Sequence, residues 1–116
     1  MDPPLILVCP AKTSRTYPHI LSAGQFAVHV LAGGQADMAY LFAKSGSDVS
    51  HLPWRRSKLG NPLLDGAVCT IECRLRNDYD GGDHAILVGE VLAIDLSDVV
   101  DTTLLYLRGT LASRPH

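Results

Sequence analysis

The chain has 116 residues, enough for one small domain, and its 47% hydrophobic and 19% charged residues allow a packed core and exclude disorder by composition. A formal net charge of -2 gives no electrostatic case for nucleic acid or an anionic membrane surface. No apolar run approaches the roughly 20 residues that span a bilayer, so neither nucleic acid nor membrane is expected as a partner.

The chain opens with MDPPLILVCP. Its apolar run, Leu5 to Cys9, follows an Asp and lacks a basic flank, so no signal peptide is expected. The run ends at Pro10 and predicts a buried strand. In AKTSRTYPHILSAG, Ser14 or Thr16 can cap a short helix, Pro18 suits its first turn, and Gly24 suits its end. QFAVHVL, Gln25 to Leu31, predicts a strand with Phe26, Val28 and Val30 on one face. AGGQADMAYLFAKSG predicts a second helix, because Met38, Leu41 and Phe42 recur at helical spacing before Gly46. Ser47 to Asn61 is expected to be a loop.

AVCTIECRLR, Ala67 to Arg76, alternates most clearly. Ala67, Cys69, Ile71, Cys73 and Leu75 are expected to face the core, and Val68, Thr70, Glu72, Arg74 and Arg76 the other side. NDYDGGD is expected to be a turn, and HAILVGEVLAID an antiparallel partner strand. TLLYLRGTL, Thr103 to Leu111, predicts a last strand. The sum is β-rich with two short helices, which in a small domain suggests a barrel or sandwich.

The three cysteines, Cys9, Cys69 and Cys73, are odd in number and lack metal-ligand spacing, which points to a reducing, cytoplasmic setting. His19, His29, His51, His84 and His116 are scattered, so no metal site is expected. His29 lies among apolar strand residues, where a satisfied structural role is the natural expectation. The sequence contains no GxSxG, HExxH, Walker A or GxGxxG.

Three stretches remain where chemistry can sit. Trp54-Arg55-Arg56 suits either a planar or anionic ligand or a surface loop anchored by one Trp. Lys12, Thr13, Ser14, Arg15 and Thr16 place three hydroxyls and two cations at a helix start, which suits a phosphate or an ordinary cap with solvated charges. Gly81-Gly82-Asp83-His84 suits either a hairpin turn or a histidine held near a ligand. Gly89, inside the following strand, marks a bulge or a close approach.

In order, DPPLILVCPAKTSRTYPHI, GQFAVHVLAGGQADMAYLFA, GNPLLDGAVCTIECRL, GDHAILVGEV and LLYLRG resemble the flavin reductase family of flavin-binding split-barrel proteins. The resemblance covers nearly all of residues 1–116. It implies a mainly β fold, a split β-barrel with antiparallel, Greek-key-like strands and two or three short helices. It also implies a homodimer that binds FMN or FAD without a covalent link and reduces it with NADH or NADPH. Many members pass the reduced flavin to a monooxygenase. By position, Lys12 to Thr16 resemble the loop that holds the flavin phosphate. Gly82, Asp83 and His84 resemble the nicotinamide-binding segment, with His84 positioning the nicotinamide. Tyr106 and Arg108 fall where the family's closing strand approaches the site. The family's phosphate loop usually has an Asn near Pro10 or Ala11, where this chain has none. Members also carry a segment before Asp-Pro-Pro that supplies opening strands, so a shortened barrel is expected here. The alternative is a non-catalytic split-barrel module that binds flavin or a protein partner.

Overall fold

In the computed structural model, residues 2–43, 48–96, 102–107 and 110–115 are described, with the backbone alone at 43, 102–107 and 110–115. The elements run Leu5–Val8 (β1), Thr16–Ala23 (α1), Gln25–Val30 (β2), Ala36–Ala43 (α2), Trp54–Arg56 (β3) and Pro62–Leu64 (β4). Cys69–Gly81 (β5), His84–Leu96 (β6), Thr102–Leu107 (β7) and Thr110–Pro115 (β8) follow. A short 3-10 turn at Gly33–Gln35 leads into α2. The fold is mainly β and antiparallel, as the alternation predicts. Strands β1, β6, β5 and β2 form one sheet in that order, while β3–β4 and β7–β8 are separate pairs. Among the described residues no pairing closes a barrel. No helix among them is long and apolar enough to cross a membrane.

The chain divides into two compact units. The first is Met1–Val28 with Ile71–Ile94. Ile20, Phe26, Cys73, Ala85 and Leu87 are buried together, with Ile6, Val8, Tyr17, Val28, Ile71, Leu75 and Val91 packed around them. Cys73 is fully buried, and burial pushes its thiol pKa up, as for a small core hydrophobe. Gly89 on β6 lies close against Phe26 and Cys73. A Cβ there would stand 2.5 Å from Phe26 Cζ and 2.9 Å from Cys73 Cβ, so the close approach expected at this glycine is present. Helix α1 contributes Ile20 to this core and ends at Gly24, whose left-handed backbone (φ 71°) brings its amide to Ile20 O at 2.8 Å. Its start is held by Ser14, whose Oγ accepts the Tyr17 amide at 3.3 Å.

The second unit is His29–Thr70 with Asp95–His116. Leu63, Leu64 and Asn61 are buried there. Gln35 joins the 3-10 turn to the chain after β4: its Oε1 accepts the Ala32 amide at 2.7 Å, and its Nε2 donates to Asp65 O at 3.1 Å. His29 on β2 accepts the Leu64 amide at 3.0 Å through Nε2, the satisfied structural role that its apolar surroundings predict.

Five expectations are corrected. The first strand is half-open and not buried, with Leu5, Leu7 and Cys9 exposed, because a continuous apolar run does not tell whether both faces are covered. The region from Ser47 to Asn61 contains β3, which pairs with β4 in register Trp54↔Leu64 to Arg56↔Pro62. Each strand has three residues, too few for a periodicity to show in sequence. The turn after Arg76 is much shorter than NDYDGGD, because β5 continues to Gly81. Thr70 and Glu72 are buried, not outward and open. Alternation tells which residues share a face, but not whether the second face is also covered. The single last strand from Thr103 to Leu111 is two strands, β7 and β8, paired from Thr102↔Pro115 to Leu107↔Thr110.

Candidate functional site

The loop before α1 and the tip of the β5–β6 hairpin are stitched together within the first unit. Gly82, at φ 84°, takes the first central position of a two-residue turn with Asp83, a conformation that glycine alone adopts cheaply. The short turn brings His84 directly opposite the loop. Ala11 and His84 form an antiparallel bridge. The Ala85 amide donates to Pro10 O at 2.9 Å, and the Lys12 amide to Asp83 O at 3.0 Å. Two side-chain links continue the seam. Lys12 Nζ pairs with Asp80 Oδ1, and the Tyr17 hydroxyl donates to Asp78 Oδ2 at 2.8 Å.

The structure therefore brings together the two stretches that the sequence singles out separately. It also divides their labour. Lys12 is held by Asp80, which raises the pKa of its ammonium, and the same contact with Lys12 depresses the pKa of Asp80. Ser14 is occupied by the helix start: its hydroxyl donates to Ala11 O at 2.7 Å and accepts from Tyr17. Thr13, Arg15 and Thr16 are exposed. The opening amides of α1 lie beside them, where a helix has donors without intrahelical partners. This donor set fits the chemistry of a flavin phosphate: a guanidinium, two hydroxyls and backbone amides suit an anion with several acceptor oxygens.

At the turn, Asp83 Oδ1 and His84 Nδ1 lie 2.9 Å apart. That hydrogen bond is the chief reason the Asp83 carboxyl titrates below its usual range. It orients the ring and leaves Nε2 for a ligand. The His84 side chain is 48% exposed, so it is held yet accessible.

Tyr106 lies in β7, opposite Leu111, within the second unit. Arg108 lies outside the described residues. Trp54-Arg55-Arg56 takes structural roles in the second unit. Trp54 Nε1 donates to Val49 O at 2.8 Å, and its ring meets Phe42 edge-on at 5.9 Å. Arg55 Nε pairs with Asp65 at 2.8 Å, and Arg56 Nη1 donates to Gly60 O at 2.8 Å. All three side chains are engaged within the second unit, on strand β3 and not on the loop that the sequence suggests.

Sequence reasoning misses Tyr17, Asp78 and Asp80 as parts of this region. A signal was present: carrying the period-2 pattern of β5 past Arg76 puts Arg76, Asp78 and Asp80 on one face.

Residues 1–114 match the family model described as "Flavin reductase like domain". The chain is 36% identical over 111 residues to the reductase subunit HsaB of a flavin-dependent monooxygenase from Mycobacterium tuberculosis, covering 94% of this chain and 59% of that protein. It is 40% identical over 92 residues to the FMN reductase (NADH) SmoA of Agrobacterium fabrum, covering 79% of this chain and 53% of that protein. The chain thus spans less than two thirds of these relatives. Among solved structures, nitrilotriacetate monooxygenase component B from Mycobacterium thermoresistibile superposes with a TM-score of 0.90 at 34% identity, over 97% of this chain and 64% of that one.

Proposed function

Because this chain belongs to the flavin reductase-like family, we propose that it is an NAD(P)H-dependent flavin reductase supplying reduced flavin to a monooxygenase. One observation carries the site reading: the phosphate-suited loop and the histidine turn are bonded into a single surface. A flavin phosphate would rest on Thr13, Arg15, Thr16 and the α1 amides, with the Lys12 ammonium, paired with Asp80, at the start of the same loop. FMN is favoured as the flavin, and NADH as the reductant, by the similarity to SmoA, an FMN reductase (NADH). When bound, the flavin supplies the two-electron acceptor for a hydride from the nicotinamide. The chain's own residues contribute alignment, because hydride transfer depends on distance and orientation more than on proton transfer. With Asp83 fixing Nδ1, His84 offers Nε2 to the polar edge of the nicotinamide and acts as a positioning residue.

A homodimer fits the other face of the sheet. The register Leu5↔Glu90 and Leu7↔Val88 puts Leu5, Leu7, Val88, Leu92 and Ile94 on one side together with Glu90, which pairs with Arg74, and away from Ile6, Val8 and Leu87 on the core side. Leu7 and Ile94 are 61% and 59% exposed, a pattern that suits burial against a second copy. The similarity to HsaB, the reductase subunit of a flavin-dependent monooxygenase, supports a monooxygenase as the receiving partner. A cytoplasmic setting suits the free Cys9, Cys69 and Cys73.

The test is to add FMN to the purified chain, follow flavin fluorescence, and follow NADH consumption. The proposal expects quenching on binding and NADH oxidation only with flavin. Binding without turnover would favour the non-catalytic module, and neither binding nor turnover would defeat both.

A further inference from the structure

Asp80 joins the phosphate-suited loop to the hairpin tip through an ion pair with Lys12. Its Oδ1 accepts the Gly82 amide at 3.0 Å and also engages the Lys12 ammonium. The first bond fixes the carboxylate on the rigid turn. The second ties down a cation of the loop that would otherwise face an incoming anion. Both side chains are open to solvent, Lys12 at 38% and Asp80 at 78% exposure. Exposed pairs of this kind are weak and exchange readily. Asp78 adds its charge to the field at Lys12, although its carboxylate is bonded to Tyr17. Asp83 belongs to the same tip and is paired with His84. A phosphate arriving at the loop therefore meets a cation already satisfied by a carboxylate, and that carboxylate repels it.

We propose that Asp80 is a built-in competitor of the flavin phosphate for Lys12, weakening flavin binding so that reduced flavin leaves. This rests on the reading of Lys12 to Thr16 as the phosphate loop. It assigns Asp80, a residue outside that loop, the role of setting affinity for phosphorylated flavins and not for riboflavin, which lacks the phosphate. A reductase that hands its product to another enzyme gains from such a device, because dissociation must follow reduction on every cycle. The step is an exchange of ion-pair partners. Lys12 passes from the Asp80 carboxylate to the phosphate on binding and returns on release, with no bond made or broken.

Asp80→Asn tests it well, because the amide oxygen can still accept from Gly82 while the charge is gone. Binding of FMN and of riboflavin is measured by fluorescence on wild type, Asp80→Asn, Lys12→Met and the double variant. FMN should bind Asp80→Asn about three- to tenfold tighter at low ionic strength, and the gain should fade with added salt. Riboflavin affinity should not change. In the Lys12→Met background, Asp80→Asn should give little further gain, since the contested cation is missing. Unchanged or weaker FMN binding by Asp80→Asn overturns the competitor role, as does an equal gain for riboflavin or an undiminished gain without Lys12. If wild type does not prefer FMN over riboflavin, the phosphate loop itself fails, and the competitor role with it.

Discussion

His29 Nε2 accepts the Leu64 amide, so in the fold its ring is neutral with the proton on Nδ1. Burial and the Arg55 charge both lower its pKa. The sign follows: the unfolded chain binds this proton more readily, so the stability contributed by neutral His29 is full above the unfolded value of about 6.5 and is lost as pH falls below it. The urea midpoint should drop between neutral and mildly acidic pH. His29→Gln, which keeps an acceptor but cannot titrate, should flatten that dependence, whereas an unchanged slope would remove His29 as its cause. His29→Ala should cost about 1–3 kcal/mol, because it leaves the buried Leu64 amide unpaired. The sequence reveals His29 as structural from its apolar neighbours. It cannot reveal the Leu64 partner, which depends on how two distant segments pack.

At the scale of elements, the β5–β6 hairpin is the most legible part and also the one whose end is misjudged. The alternation from Cys69 to Leu75 and from Ala85 to Val91 marks the core, and Cys73, Ala85 and Leu87 are fully buried. Asn77, Asp78 and Asp80 are poor strand formers and suggest a turn by propensity. Their strand conformation is supported by the β6 ladder and by Tyr17 and Lys12, which are contributed from outside the hairpin. Gly89 shows the packing limit on β6. Gly89→Ala should destabilise the fold by about 1–3 kcal/mol through overlap with Phe26 and Cys73, measured by urea unfolding. A loss below a few tenths of that range would show that Phe26 moves aside freely. The seam between Lys12 and Asp83 was legible only as two separate motifs, because no local pattern predicts the Ala11↔His84 bridge.

For the whole molecule, the sequence predicted a mainly β, antiparallel fold and the family to which the chain belongs. Three-residue strands such as β3 and β4 escaped it, since they exist through pairing and not through their own pattern. The outer face of the sheet makes a prediction at this scale. Leu7→Glu puts a further charge beside the exposed Leu5 and Leu92 and the half-buried Val88, and should shift the proposed dimer to monomer in light scattering. A wild-type chain that is monomeric at every concentration would show that this face does not bind a second copy. The loop from Lys12 to Thr16 and the turn at His84 are proposed to work as one site. Steady-state NADH oxidation with FMN, comparing wild type with His84→Ala alongside FMN binding to each, decides it. Turnover should fall at least about tenfold in the variant with FMN affinity unchanged, as expected for a lost alignment of about 1.4 kcal/mol or more. Equal turnover by the two proteins would contradict it.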